Sequence, residues 1–363
     1  MTTRRNFLRG MGGIAAGVTC LACGQRRASA QTRAARREVG VNGQRVRTVD
    51  IHCHCVVPET LDLVKGTAME SRVASTIKSQ QNNPTIEARI AEMDVEGIDV
   101  EAMSINAWWY GAERDLARRI IDTQNEKLVK MCALAPDRLV AFASVSLQFP
   151  ELAAEQLEIG MKQQGLRGAA IGGTVEGQEL SHPKFDPFWK KAEELQALLF
   201  MHPQDSAKVT GVAERVKGGG GLENVIGNPL ETTIAISHLI FEGVMDRFPN
   251  LKISFAHGGG FLPSYAARMD NGCGRVARDC AGPVLKKKPS EYLRQMYFDS
   301  LVFTPEALRH LVAECGASQI MIGTDYNYGW VKDPVGHVMD TPQLSDADRI
   351  AILGGTAAKL LRL

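Results

Sequence analysis

Eight short apolar runs alternate with helix-forming segments along this chain, and that alternation constrains the fold more than any other feature. The runs are Arg47–His54, Ile98–Ile105, Leu139–Leu147, Gly165–Ile171, Ala197–His202, Leu251–His257, Gln295–Ser300 and Ser318–Asp325. Between them, Ile86–Met93, Glu151–Gln163, Phe188–Gln196, Leu230–Phe248 and Pro305–Cys315 read as helices. Eight strands alternating with helices over roughly 300 residues predict an α/β fold, a (β/α)8 TIM barrel. A doubly wound sheet would carry a glycine-rich phosphate turn after its first strand. Here that place holds His52-Cys53-His54. Two connections exceed an ordinary loop: Cys55–Thr85 after strand one and Gly258–Met296 after strand six. They are expected to be insertions that shape a pocket or a subunit contact.

Barrel enzymes place their chemistry at the C-terminal ends of the strands. His52 and His54 end strand one, His202 ends strand five, His257 strand six and Asp325 strand eight. His52 and His54 are two residues apart, so strand alternation should point both into the barrel. Any one of the five could be a packing residue; five at one mouth predict a metal centre. Imidazoles with one carboxylate suit Zn²⁺, and also Mn²⁺ or Fe²⁺. Strand four carries no lysine to bridge a second ion, so one ion is expected, with no organic cofactor. An ion of this kind lowers the pKa of a bound water, and His257 beside it can accept or return the proton. Trp108-Trp109-Tyr110 follow strand two and are expected at the mouth, where they would stack on a flat substrate. Asn106 would add a polar contact and Phe303, after strand seven, a further wall. His182, His238, His310 and His337 read as surface or packing residues.

The first 30 residues read as an export signal. Arg4-Arg5-Asn6-Phe7-Leu8-Arg9 is a twin-arginine sequence, Met11–Ala22 is mildly apolar, and Ala28-Ser29-Ala30 is a small-residue cleavage site. The expected address is the periplasm, reached in the folded state, with lipidation at Cys23 as the alternative to cleavage. Residues 31–46 read as a flexible polar arm, which leaves 47–363 as the barrel domain. Removing the five arginines of the signal leaves 37 basic against 41 acidic side chains. That balance argues against nucleic acid or anionic lipid as a partner, and no later stretch is apolar enough to span a membrane. Cys273 and Cys280 are placed to pair after export.

These motifs carry a resemblance. The stretches VDIHCH, EMDVEGIDVEAMS, LFMHP, GNPLETTIAISHLIFEGVMDRFPNLKISFAHGGGFLPSYAARMD and MIGTDY are similar to the amidohydrolase-related family typified by aminocarboxymuconate semialdehyde decarboxylase. The resemblance implies one metal, usually zinc, held by His52, His54, His202 and Asp325. It implies His257 as acid/base and a homodimer in which Arg268 reaches the neighbouring site to bind a substrate carboxylate. The implied reaction is nonoxidative decarboxylation of a small aromatic or unsaturated carboxylic acid. Two departures stand out. The segment Ser75–Gln80, where such proteins carry a second arginine, has none, and Arg72 and Lys78 are the nearest cations. Tyr326-Asn327-Tyr328-Gly329-Trp330 replaces a proline-rich turn. The substrate is therefore expected to differ from the namesake's. The alternative is a metal-dependent hydrolase of an ester, lactone or amide. A non-catalytic binding barrel is disfavoured by the intact ligand set.

Overall fold

The computed structural model describes residues 35–79, 85–204, 211, 213–275 and 285–363. The expected signal over 1–30, with Cys23, lies outside them, as does Cys280, the expected partner of Cys273. The eight barrel strands are β1 (Val49–His54), β2 (Val100–Ser104), β3 (Leu139–Ala141), β4 (Gly168–Ile171), β5 (Leu198–Met201), β6 (Lys252–Phe255), β7 (Tyr297–Asp299) and β8 (Ile320–Met321). Each pairs in parallel with its sequence neighbour from β1 to β3 and from β4 to β8. Bridges Ala143↔Ala169 and Asp50↔Ile322 join the two arcs into a closed ring. The expected (β/α)8 barrel is the fold.

The strands are shorter than their apolar runs: β1 and β4 lose residues only at their starts, whereas β3 and β8 leave the ladder early at the mouth end. β8 is the extreme case: it stops at Met321, and Asp325 adopts a left-handed φ of 56°. Gly168 shows how tightly the ring is drawn. Its φ is 132°, and a Cβ there would lie 1.9 Å from the Leu198 carbonyl oxygen on β5. Only glycine fits that approach.

The helices that wrap the ring follow local capping signals. The first, α1 (Ile86–Glu96), starts at Thr85, whose hydroxyl accepts from the Ala88 N–H, and ends at left-handed Gly97. A helix not anticipated above, α2 (Arg114–Ala133), is capped by Glu113 and buries Leu116, Ala117, Ile120, Ile121 and Leu128. Next come α3 (Pro150–Lys162) and α4 (Asp186–Leu195). The single helix expected over Leu230–Phe248 is two: α5 (Asn228–Phe241) and the short Val244–Arg247, broken at Gly243 with φ 75°. Ala266–Arg275 forms α6, and Pro305–Cys315, bounded as expected, forms α7.

Inside the ring an apolar layer of Ile51, Ala102, Phe142, Ala170, Phe200, Ala256 and Met321 fills the space, and Leu360 and Leu361 pack against it. Phe142 and Phe200 stack with centroids 5.8 Å apart, and Phe200 lies 5.0 Å from the His52 ring. This layer is the dry floor of the mouth.

Residues 35–46 are not a flexible arm. Gly40–Val41 pairs with Gln44–Arg45 as an antiparallel hairpin, and Val39, Val41 and Val46 are buried in the main core. Arg36 and Arg45 both bond Asp99, the latter at 2.6 Å, and Asp99 also accepts the Thr48 N–H at 2.9 Å. Three apolar anchors and a shared carboxylate make the segment part of the domain.

Burial pushes the Asp99 carboxyl up, but Arg45, the Thr48 N–H and Arg36 outweigh it and hold it below the usual carboxylate range. Its contribution is therefore present above the unfolded value and lost as pH falls through the folded one. Asp99→Asn should lower the unfolding free energy by about 1–3 kcal/mol at neutral pH, with the gap closing below a pH of about 4. Urea unfolding at both pH values checks this; equal stability at neutral pH would contradict it.

Candidate metal centre

Alternation alone would not put both strand-one histidines inside the barrel. Val49 and Ile51 already face the interior layer, so strict alternation would turn His52 outward. The β1–β2 register shifts between Asp50 and Cys53: Asp50 faces Glu101 and Cys53 faces Met103. Ile51 and His52 thus share the place opposite Ala102. This bulge re-aims the strand end. His52 and His54 turn into the mouth, while Cys53 and Cys55 join the outer core.

The four expected ligands converge. One ligand atom from each of His52, His54, His202 and Asp325 lies within 4.8 Å of the others, and all four residues are buried. His52 Nε2 and His54 Nε2 are 3.1 Å apart. Asp325 Oδ1 is 2.8 Å from His54 Nε2 and 3.2 Å from His52 Nε2.

The opposite ring nitrogens decide what points inward. His202 Nδ1 donates to the Pro203 carbonyl at 2.7 Å. His52 Nδ1 donates to Asp299 Oδ2 at 2.6 Å. His54 Nδ1 faces Ser104 Oγ at 3.5 Å, and that hydroxyl donates onward to the Cys53 carbonyl. Each outer nitrogen thus carries the hydrogen, and each Nε2 presents a lone pair to the centre. His202 Nε2 is buried with no hydrogen-bond partner among the described residues. Three converging lone pairs and a carboxylate oxygen are a donor set for a cation.

The electrostatics agree. Burial, with the neighbouring histidines, lowers the proton affinity of His54 and takes that of His202 well below its ordinary value. Both are neutral and ready to coordinate. Burial would lower His52 too, but Asp325 and Asp299 outweigh it and raise that group. The same negative field attracts a metal ion. Burial pushes the Asp325 carboxyl up, while the imidazoles of His52, His257 and His54 around it hold it well below the usual range.

His257 stands beside the cluster, half-buried, with Nε2 3.8 Å from Asp325 Oδ2. Its ring centroid is 5.1 Å from that of His202. It opens the His257-Gly258-Gly259-Gly260 turn after β6, in which all four residues have positive φ. A Cβ on Gly260 would come within 2.2 Å of the Pro229 carbonyl oxygen.

Asp299, at the end of β7, was not singled out in the sequence, yet it organises the site. Its Oδ2 accepts from His52 Nδ1 and from the His257 N–H (2.9 Å); its Oδ1 accepts from Gly258 N (2.8 Å) and Leu301 N (3.1 Å). Arg89 supports the other histidine from behind. It donates to the His54 carbonyl at 2.5 Å and to Glu101 Oε2 at 2.5 Å, with Tyr326 stacked over it.

The expected substrate residues divide. A cavity of about 300 Å³ over His202, His257 and Asp325 is walled by Asn106, Trp108 and Arg72, with Gln204 and Trp330. Phe303 lines a smaller adjoining pocket of about 110 Å³ that also touches His257 and Asp325. Trp109 does not reach the mouth: it is fully buried, and its Nε1 donates to the Val145 carbonyl at 2.9 Å. Facing away from Trp108 on the chain, it anchors the loop from below. Arg268 is exposed on α6 and lines neither cavity of its own chain.

Purified protein should carry one divalent ion per chain, and His52→Ala or Asp325→Ala should lose it. Asp299→Asn should weaken metal affinity by about 10–100-fold, read by chelator competition. Unchanged metal content in the first two variants would contradict the assignment.

The comparisons with known proteins agree with this geometry. The amidohydrolase family matches residues 49–363. The chain is 29% identical over 319 residues to 2-amino-3-carboxymuconate-6-semialdehyde decarboxylase of Dictyostelium discoideum, covering 87% of this chain and 84% of that one. It is 29% identical over 332 residues to gamma-resorcylate decarboxylase of Rhodococcus jostii, covering 85% and 97%. Among solved structures, a dihydroxybenzoic acid decarboxylase from a Polaromonas species, with bound manganese and the inhibitor 2-nitroresorcinol, is similar at a TM-score of 0.73. It is 25% identical, with 88% of this chain and 97% of that chain covered. Ring, ligand set and family match lead to one conclusion: this chain belongs to the amidohydrolase family.

Proposed function

We propose that this protein is a metal-dependent nonoxidative decarboxylase of an aromatic or unsaturated carboxylic acid. One observation carries the reading. Beside the three-histidine, one-aspartate cluster, His202, Asp325 and His257 line a cavity with Trp108, Trp330 and Arg72 in its walls, and Phe303 lines the adjoining pocket. That is the shape and charge of a flat anion. The relatives named above are decarboxylases of such acids.

His52, His54, His202 and Asp325 would hold a divalent ion, which when bound would supply Lewis-acid polarisation of substrate oxygens. We take it to be Zn²⁺, which suits three imidazoles and one carboxylate; manganese in the Polaromonas relative makes Mn²⁺ the ion to compare. Trp108 offers the ring a face to stack on, and Arg72 faces its negative charge. A proton on His257 passes to the ring carbon that carries the carboxylate. The bond to the carboxylate then breaks, its electron pair restores the conjugated ring, and CO2 leaves. His257 regains a proton from solvent at the open mouth, so each turnover consumes one proton. The Phe142–Phe200 floor keeps water from the reacting carbon on the inner side.

Two further expectations belong to this reading. The twin-arginine sequence supports export of the folded, metal-loaded protein to the periplasm. The exposure of Arg268 on α6 supports a homodimer in which that side chain completes the neighbouring site.

Metal-loaded protein should release CO2 from hydroxybenzoates or muconate-type acids. His257→Asn should keep its metal and lose about 10²–10⁴-fold in kcat. Acid release from esters or lactones, with no CO2 from any acid, would overturn the assignment in favour of a hydrolase.

A further inference from the structure

The metal cavity has a neighbour that a one-ring acid does not use. On the far side of Trp108 lies an outer chamber of about 590 Å³. It shares Arg72, Trp108 and Gln204 with the metal cavity, so one wall serves both. Drug-sized ligands occupy clefts of roughly 300–1,000 Å³. The metal cavity alone sits at the bottom of that range, and the two together lie near its top.

The walls say what the outer chamber accepts. Met69 and the rings of Trp108 and Tyr110 give it apolar, aromatic faces. Tyr110 is rigid there, because its hydroxyl accepts the Gly172 N–H at 3.0 Å. Small residues, Ala68, Ala107 and Gly111, keep it open. Thr174 and Glu176 also line it, and Arg72 and Gln204 stand at the junction. Arg72 Nη2 donates to the Gln204 carbonyl at 3.1 Å and so bridges the first insertion to the loop after β5. That loop is held in turn by Glu231, whose two carboxylate oxygens accept the Gln204 N–H at 3.1 and 3.0 Å. The Gln204 side-chain amide is buried on both its oxygen and its nitrogen, with no partner for either among the described residues. A buried amide in a cavity wall is costly unless something bonds it. A ligand spanning the junction would bond it.

We propose that the substrate is a two-ring aromatic acid. Its carboxylated ring sits over the metal ligands, and a second ring, joined directly or through one atom, stacks beyond Trp108 between Met69 and Tyr110. A hydroxyl or ether oxygen at the link or on the second ring meets the Gln204 amide. The proposal rests on the decarboxylase reading for the position of the carboxylated ring, and it names the substrate class of that site. Among the described residues no His, Cys or Lys lines the outer chamber, and its contribution is to selection.

The test is equilibrium binding to metal-loaded protein, by calorimetry, of a hydroxybenzoate and of the same acid carrying an aryl or aryloxy substituent. CO2 release is followed in parallel. The two-ring acid should bind at least about tenfold more tightly. Ala68→Trp, an exposed turn position on the chamber wall, should abolish that advantage while leaving the one-ring acid unchanged. Gly111→Phe, which fills the chamber from the opposite loop, should do the same and guards against a misfolded first variant. Equal or weaker binding of the two-ring acid, or an advantage that survives both substitutions, overturns the proposal. Tighter two-ring binding with no CO2 from either acid would instead retain the chamber's role and remove the decarboxylase reading.

Discussion

One carboxylate holds the mouth of this barrel together. Asp299 takes the Nδ1 hydrogen of His52, the backbone N–H of His257 and those of Gly258 and Leu301. It thereby fixes the tautomer of a metal ligand and the position of His257 through one rigid group. Burial opposes ionisation of Asp299, but His52, His257 and the Gly258 N–H prevail and hold its carboxyl below the ordinary value. A charged acceptor is what makes this possible, since a neutral one would leave a buried donor short. Gly323 lets the end of β8 close over it: a Cβ there would sit 2.6 Å from the Cβ of Asp299.

Around that clamp the backbone adopts left-handed conformations at three non-glycine residues. His257, Phe303 and Asp325 have φ of 57°, 66° and 56°. Each is a non-glycine residue at the mouth, and each such conformation costs on the order of 1–3 kcal/mol. The surrounding packing offsets that cost: the glycine turn against β7 and α5, and the Asp299 bonds. The result is a set of side chains whose directions are decided before any ligand arrives.

Much of this was legible in the sequence because barrel geometry ties chemistry to strand ends. His52, His54, His202, His257 and Asp325 each close an apolar run, and all five meet at one mouth. What was not legible has physical causes. The bulge at Ile51-His52 leaves no mark in composition, yet without it the His52 side chain would face outward. Asp299 also ends a strand, but a carboxylate that only accepts hydrogen bonds has no spacing motif to announce it. Trp109 was expected at the mouth with Trp108, but consecutive side chains diverge, and the indole found a backbone carbonyl in the core instead. Residues 35–46 are polar enough to read as an arm. Their three valines, and an Asp99 that is distant in sequence, decide otherwise. The helix α2 was hidden by its charge, although Leu116, Ile120 and Leu128 carry a helical spacing.

The central claim is that three Nε2 atoms and one aspartate oxygen form a single-ion centre beside His257. A crystal structure of the metal-loaded protein, with anomalous diffraction at the metal edge, tests it most directly. The account predicts one anomalous peak per chain, coordinated by Nε2 of His52, His54 and His202 and by Asp325, with His257 outside the coordination sphere. Two peaks, ligation through an Nδ1 atom, or a metal bound by His257 would contradict it.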